Sequence, residues 1–427
     1  MHTEIHRIPG HDVHEHVLSV PLDHTGMQAG TIEVFAREIV RDGGADRPRL
    51  LWFQGGPGNR ANRPSSISGW LDRALEDYRV VLLDQRGTGR STPADRQTLA
   101  NVGGAQEQAT YLAHFRADAI VADAEVLRQA LDEGAWTALG QSYGGFITTT
   151  YLSQAPGGLR EAIITAGLPG LSSPADDVYR LTFAQTARRN AEFAARHPAD
   201  AETLREVVTH LRGTEEFLPT DESLSVRRLL QIGIDLGSST GFDTLHYLLE
   251  DPFTTVGGQL RLRERFLREV GAVVSFAAHP LYAVMHETIY SNGPVSGGAT
   301  AWAAQRVRDS LPEFAPDAEA PLLTGEHIFP WHFAEDPALV PLRQAAQLLA
   351  NRADFPALYD LGALAENSVP VVAAVFHDDM FVPRELSLRS VEAIRGTRVL
   401  VTSEYQHDGI RVDGRRLLDR LLALLRR

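Results

Sequence analysis

At 427 residues the chain exceeds what one hydrophobic core ordinarily holds, so one large domain carrying an insertion, or two domains, is expected. A composition of 43% hydrophobic and 22% charged residues is that of a soluble globular protein, and a net charge of −14 argues against nonspecific binding to nucleic acid or to an anionic membrane. There is no cysteine, which excludes a disulfide framework, a thiol nucleophile and a cysteine metal site.

The opening "MHTEIHRIPGHDVHEH" lacks the basic head and apolar stretch of a signal peptide. No apolar run approaches the roughly 20 residues that span a bilayer, so a cytoplasmic location and no membrane partner are expected. His11, His14 and His16 resemble a metal tract, but no carboxylate–histidine pattern of ligand spacing accompanies them. They are read as a surface segment, and no metal or other cofactor is expected.

"HVLSVPL" and "TIEVFAREIV" read as two strands of an antiparallel lead-in. "RLLWFQ" is a buried strand that stops at Gly55-Gly56-Pro57-Gly58, and "YRVVLLDQRGTG" repeats the design. The glycines of "DQRGTGRS" lack the Lys-Ser/Thr ending of a phosphate loop, so a structural turn with Asp84 and Arg86 in hydrogen bonds is expected. Apolar residues from Tyr111 and Leu112 through Phe115, Ile120 and Leu127 to Leu131 predict one helix over about 106–131. Then come the strand "WTALG", a turn at Ser142, the helix "YGGFITTTYLSQA" and the strand "LREAIITAG". Continuously apolar strands separated by helices indicate a mostly parallel sheet covered on both faces.

From about 171 to 360 the chain is helix-rich, without comparable alternation. Strand and helix return with "VPVVAAVF", "RELSLRSVEAI", "RVLVTS" and the closing "LLDRLLALLRR". The expected organisation is an α/β core in two parts, 1–170 and 361–427, interrupted by a helical cap at 171–360.

The stretch "GQSYG" is a G-x-S-x-G elbow, a strand-to-helix turn that exposes a serine, here Ser142. A serine hydroxyl is a weak nucleophile and needs a base. Sites built on such an elbow run in chain order serine, acid, histidine. His407, in "EYQHDG" after the last strand, fits the base. The acid lies in "FHDDMFVP": Asp379 leads by D-x-x-x-P into the next helix, and Asp378 is the alternative. His377 beside them reads as a supporting or structural residue. The oxyanion hole calls for the N–H after the serine, at Tyr143, and one from the loop after an earlier strand, at Gly56.

Taken together, "FQGGPG", "DQRGTGRS", "GQSYGG", "DDM" and "EYQHDG" resemble prolyl aminopeptidases, or proline iminopeptidases, of the α/β-hydrolase fold. The resemblance covers the sheet-forming parts on both sides of the insertion. Many members have histidine before Gly-Gly, where this chain has Gln54. It implies release of an N-terminal proline from a peptide with a free N-terminus, and "DDM" favours Asp379. It also implies cap acids for the substrate's α-ammonium, on which "MHETIYSNG" and "LLTGEHIFPW" place Glu287 and Glu326. Tyr290, Phe329 and Trp331 are offered as walls for a pyrrolidine ring, with core packing the commoner use of such residues. The alternatives are an aminopeptidase for other apolar residues, a small-ester or amide hydrolase, and a catalytically idle binding scaffold.

Overall fold

The computed structural model describes residues 1–131 and 134–427. Seven strands precede the helical stretch: β1 (His2–Ile8), β2 (His11–Pro21), β3 (Thr31–Arg41), β4 (Arg49–Phe53), β5 (Arg79–Asp84), β6 (Trp136–Gln141) and β7 (Leu159–Thr165). Within that stretch β8 (Phe253–Val256) and β9 (Gln259–Leu262) pair as a separate hairpin, and β10 (Val371–Phe376) and β11 (Thr397–Thr402) follow it. The main sheet runs β1-β2-β3-β5-β4-β6-β7-β10-β11, antiparallel through β3–β5 and parallel from β5 to β11.

Alternate side chains of a strand face opposite ways, so strands that are apolar throughout demand cover on both sides. Leu51 and Phe53 of β4, Val81 and Leu83 of β5 and Ile164 of β7 pack on one face, with helices Ala117–Leu131 and Tyr143–Gln154. Leu50 and Trp52, Val80 and Leu82, and Ile163 pack on the other, against helices Gly69–Asp77 and Gly414–Leu425. The expected doubly covered α/β sheet is therefore present.

Register aligns the carboxyl ends of the parallel strands, with Phe53 opposite Gly140, Gln141 opposite Thr165 and Phe376 opposite Thr402. The chain leaves β4 toward β5 on one side and reaches β6 on the other. That reversal opens a crevice at the strand ends, where open α/β sheets bind ligands.

Three local readings change. The N-terminal segment is part of the sheet: β1 pairs along β2, and His11 and His16 are buried. β1 itself is exposed and polar, as an edge strand needs to be to resist further pairing. The helix expected over 106–131 is two helices, Ala105–Leu112 and Ala117–Leu131, with a single tight turn and an extended Arg116 between them. Arg116 is drawn out by tertiary contacts: its guanidinium donates to the carbonyls of Ser291 and Pro356 and stacks 4.3 Å from the Phe355 ring. The helical stretch also holds the β8–β9 hairpin, joined at Gly257-Gly258.

The "DQRGTGRS" turn is hydrogen-bonded as expected. Asp84 accepts from the Ala61 and Arg90 N–H groups at 3.1 and 2.8 Å and pairs with Arg63. Buried Arg86 is clamped on Asp123 at 2.6 and 2.7 Å. Helices from Ala175 to Val274 gather around an apolar cluster of their own that includes Phe193, Leu230, Phe266 and Leu323. From Phe276 onward, side chains such as Leu281, Phe333 and Leu349 join the sheet's core. Among the described residues no helix is long and apolar enough to cross a membrane.

Candidate active site

β6 ends at Gln141 and the next helix begins at Tyr143, so Ser142 alone makes the turn, at φ +56° and ψ −126°. A residue with a side chain holds such a conformation only when its surroundings fix it. Here Ser142 N–H donates to Thr165 O at 3.0 Å, and Ser142 O accepts from Gly145 N–H at 2.7 Å. The elbow needs its glycines for close approach: a Cβ on Gly140 would lie 2.2 Å from the Gly144 carbonyl oxygen.

The Gly55-Gly56 loop after β4 passes directly against this turn, since a Cβ on Gly55 would lie 2.9 Å from Ser142 Cβ. Gln54 anchors it, its Oε1 accepting from Trp52 Nε1 at 3.1 Å and its carbonyl accepting from Gln85 Nε2 at 2.8 Å. The Tyr143 N–H belongs to the first turn of a helix, where N–H groups have no partner within the helix. Among the described residues the Gly56 N–H makes no hydrogen bond.

Asp379, in the loop after β10, is buried and meets His407 Nδ1 at 2.8 Å through Oδ2 and at 3.1 Å through Oδ1. Oδ1 also accepts from the Phe381 and Val382 N–H groups at 2.9 and 3.0 Å. Asp378 points outward and meets His377 Nδ1 at 2.7 Å. His407 lies in the loop after β11, its backbone N–H donating to Gly237 O of the helical stretch at 3.2 Å. With Nδ1–H on Asp379, Nε2 carries the lone pair. Its recorded neighbour is the Gln141 side-chain amide nitrogen at 3.4 Å, and among the described residues no hydrogen bond joins it to Ser142 Oγ. In unliganded sites such contacts commonly tighten only when substrate binds. Burial alone would depress the His407 pKa, but Asp379, and Glu326 beyond it, outweigh burial and hold it above the ordinary value.

Ser142 and His407 line one cavity of about 330 Å³ at the strand ends, walled by Phe276, Tyr282, Ile328 and Phe381. Glu326 lines it too and accepts from the Tyr282 hydroxyl at 2.6 Å. Burial raises the pKa of Glu326, and His407 and the Tyr282 hydroxyl offset that only in part.

The other glutamate expected beside it is elsewhere. Glu287 is buried, with Oε1 accepting from the Ala304 N–H at 3.1 Å and Oε2 unpaired, and it is not among the residues lining this cavity. Burial lifts its pKa to about 7. Tyr290, Phe329 and Trp331 also lie outside the cavity lining; they pack with Tyr179, Phe183 and Phe314, which makes them core residues.

Among the described residues two groups of side chains have potential ligand atoms within 4.8 Å of one another: His14, His16 and Glu38, and His197, Asp200 and His246. Neither lines the Ser142 cavity. In the first, Arg49 and Arg79 already hold the carboxylate, at 2.8 and 3.6 Å.

Comparison with known proteins bears on the fold and the family. Residues 48–410 match the family model described as alpha/beta hydrolase fold. A solved esterase that is 11% identical aligns over 97% of this chain and all of its own with a TM-score of 0.50, a likeness of fold alone. The chain is 44% identical to the proline iminopeptidase of Aeromonas sobria over 96% of both chains. The chain belongs to the proline iminopeptidase family. A proline iminopeptidase of Aspergillus aculeatus is 32% identical over 95% of this chain and 92% of its own.

This iminopeptidase-family cavity contains a carboxylate that sequence reasoning missed. Asp235 lines it with Oδ2 unpaired, and burial lifts its pKa to about 6. The available signal was an acid inside the apolar run "LLQIGIDLG". Gln141 and Arg411 were missed as well, because each flanks a motif residue without adding to the motif.

Proposed function

We propose that this protein is a serine aminopeptidase that releases an N-terminal proline, or another small apolar residue, from a peptide with a free N-terminus. The observation that carries the reading is a single cavity lined by the elbow serine, the Asp379-anchored histidine and Glu326. The two relatives that share nearly its whole length are both named proline iminopeptidases.

Ser142 Oγ attacks the scissile carbonyl carbon while its proton passes to His407 Nε2. Asp379 fixes the imidazole and balances its charge. The Gly56 and Tyr143 N–H groups hold the oxyanion. As the C–N bond breaks, the same proton moves to the leaving amine. Water, deprotonated by His407, then cleaves the prolyl ester and restores Ser142. Glu326 holds the α-ammonium directly, and Glu287 adds negative field from behind Tyr179 and Tyr290, whose hydroxyls both feel the two carboxylates. Residues 171–360 act as the cap over a core formed by 1–170 and 361–427.

A panel of aminoacyl 4-nitroanilides with N-acetylated counterparts tests this. Prolyl nitroanilide is cut and its N-acetyl form is not, because an amide cannot replace the ammonium at Glu326. Free turnover of blocked substrates would move the protein to the general esterase or amidase class.

A further inference from the structure

A second cavity, of about 670 Å³, adjoins the first and shares Gln54, Asn59, His279 and Arg411 with it. Two guanidinium groups line it, Arg60 and Arg411. Neither makes an ion pair or a side-chain hydrogen bond with another described residue. That is a distinction in a chain whose 41 basic residues are all arginines, most of them held on carboxylates or carbonyls, as Arg63 is on Asp84 and Arg86 on Asp123.

The other titratable groups of the wall do not cancel this charge. Among the lining residues Asp95 supplies a single carboxylate; its Oδ1 accepts from the Gln97 and Thr98 N–H groups at 2.9 and 3.0 Å, and its one negative charge offsets only one of the two guanidinium groups. Burial depresses the His279 pKa, so its ring stays neutral. The Ser142 cavity has the opposite character, with Glu326 and Asp235 in its lining. Arg411 stands between the two, near enough for its charge to reach both Glu326 and His407. A cleft that is acidic at one end and basic at the other matches a zwitterion.

We propose that the second cavity receives the leaving part of the substrate, and that Arg60 and Arg411 bind its free α-carboxylate. The substrate class is then short peptides that present both termini to one cleft, with ammonium on Glu326 and carboxylate on the two arginines. The proposal rests on the aminopeptidase reading above. Planar guanidinium forks are suited to carboxylates; Arg60 and Arg411 are exposed, so the attraction weakens with salt.

The test compares kcat/KM for Pro-Gly-Gly with that for its C-terminal amide, in the wild type and in Arg60→Gln/Arg411→Gln. The ratio is the readout, so a general loss of activity in the variant cancels. The wild type favours the free acid about tenfold at low salt, the ratio shrinks in 1 M NaCl, and the double variant brings it near one. A wild-type ratio within twofold of one, or a preference that survives the double substitution, overturns the subsite. Prolyl 4-nitroanilide separates the two levels of the argument. If the wild type cuts it and still treats acid and amide alike, the subsite alone falls. If neither it nor the peptides are cut, the aminopeptidase reading falls and takes the subsite with it.

Discussion

Two of the buried histidine–carboxylate pairs among the described residues have surroundings that give them different capacities. His16 meets Glu38 at 3.2 Å between β2 and β3, and His407 meets Asp379 at 2.8 Å at the strand ends. The second nitrogen of His16 is committed to Thr3 Oγ1 at 3.0 Å, and Glu38 is also shared with His14, Arg49 and Arg79. Burial would raise the pKa of Glu38, but His16 and the two arginines outweigh it and hold the carboxyl at about 2. Asp379 has no arginine at ion-pair distance among the described residues, and its remaining bonds come from neutral backbone N–H groups. His407 therefore keeps one nitrogen anchored and turns the other, met by the Gln141 amide only at a long 3.4 Å, to a cavity. A pair with every atom committed braces a sheet; a pair with one lone pair to spare can move a proton.

Removing the groups that use that lone pair gives the largest effects. Ser142→Ala should lower kcat for prolyl nitroanilide by four to six orders of magnitude with an unchanged far-UV spectrum and Tm, by analogy with other serine-triad enzymes (about 10⁴–10⁶). Asp379→Asn should cost about 10⁴-fold, because the amide no longer fixes the tautomer, while Asp378→Asn stays within a few-fold. Equal losses in the two asparagine variants would remove Asp379 from its role. The pH profile sharpens the point. A protonated base is inactive, so kcat/KM falls as pH drops through the raised His407 pKa, and Asp379→Asn moves that acidic limb to lower pH.

Breaking the other pair should change stability and spare turnover. Glu38→Gln removes the buried carboxylate that His16, Arg49 and Arg79 share, a loss of about 3–5 kcal/mol measured by denaturant unfolding, while activity per folded molecule is retained. Because the folded-state pKa of Glu38 is depressed, its contribution is complete above the unfolded value near 4.5 and disappears as pH falls toward about 2. Acid unfolding of Glu38→Gln should lack that component. A wild-type acid limb indistinguishable from the variant's would make the brace ornamental.

What could be read from the sequence follows the same physics. The ends of β4, β6, β10 and β11 were legible because backbone geometry fixes residue type there: an elbow at Ser142 needs glycine at Gly140 and Gly144, whatever surrounds it. The edge strand β1 was not legible, since "HTEIHRI" buries almost nothing and is held by backbone pairing with β2. The break at Arg116 depends on carbonyls 175 and 240 residues away in the chain. Glu287 and Glu326 look alike in sequence, each an acid among apolar residues, and only the packing separates one that lines the cavity from one bonded to the Ala304 N–H.

Those two glutamates extend the comparison to the smaller effects. Truncating one partner of a desolvated charge pair typically costs about 2–5 kcal/mol, so Glu326→Gln should reduce kcat/KM for prolyl nitroanilide roughly 30-fold or more. An acetate ester without an amine should hardly notice the change. Glu287→Gln should alter prolyl turnover less than about threefold, because its carboxylate acts on the ammonium only through the intervening tyrosines. Its signature lies in stability. The folded-state pKa is raised to about 7, so the folded protein holds this proton more tightly than the unfolded chain, and stability declines as pH rises from about 4.5 to about 7. Glutamine mimics the protonated acid and cannot ionise. The variant should therefore match the wild type near pH 5 and exceed it at pH 8, by ~2 °C in Tm. If Glu287→Gln instead lowers kcat/KM as much as Glu326→Gln does, while esters remain unaffected, both carboxylates grip the ammonium directly. The cavity would then have to open past Tyr290 when substrate binds.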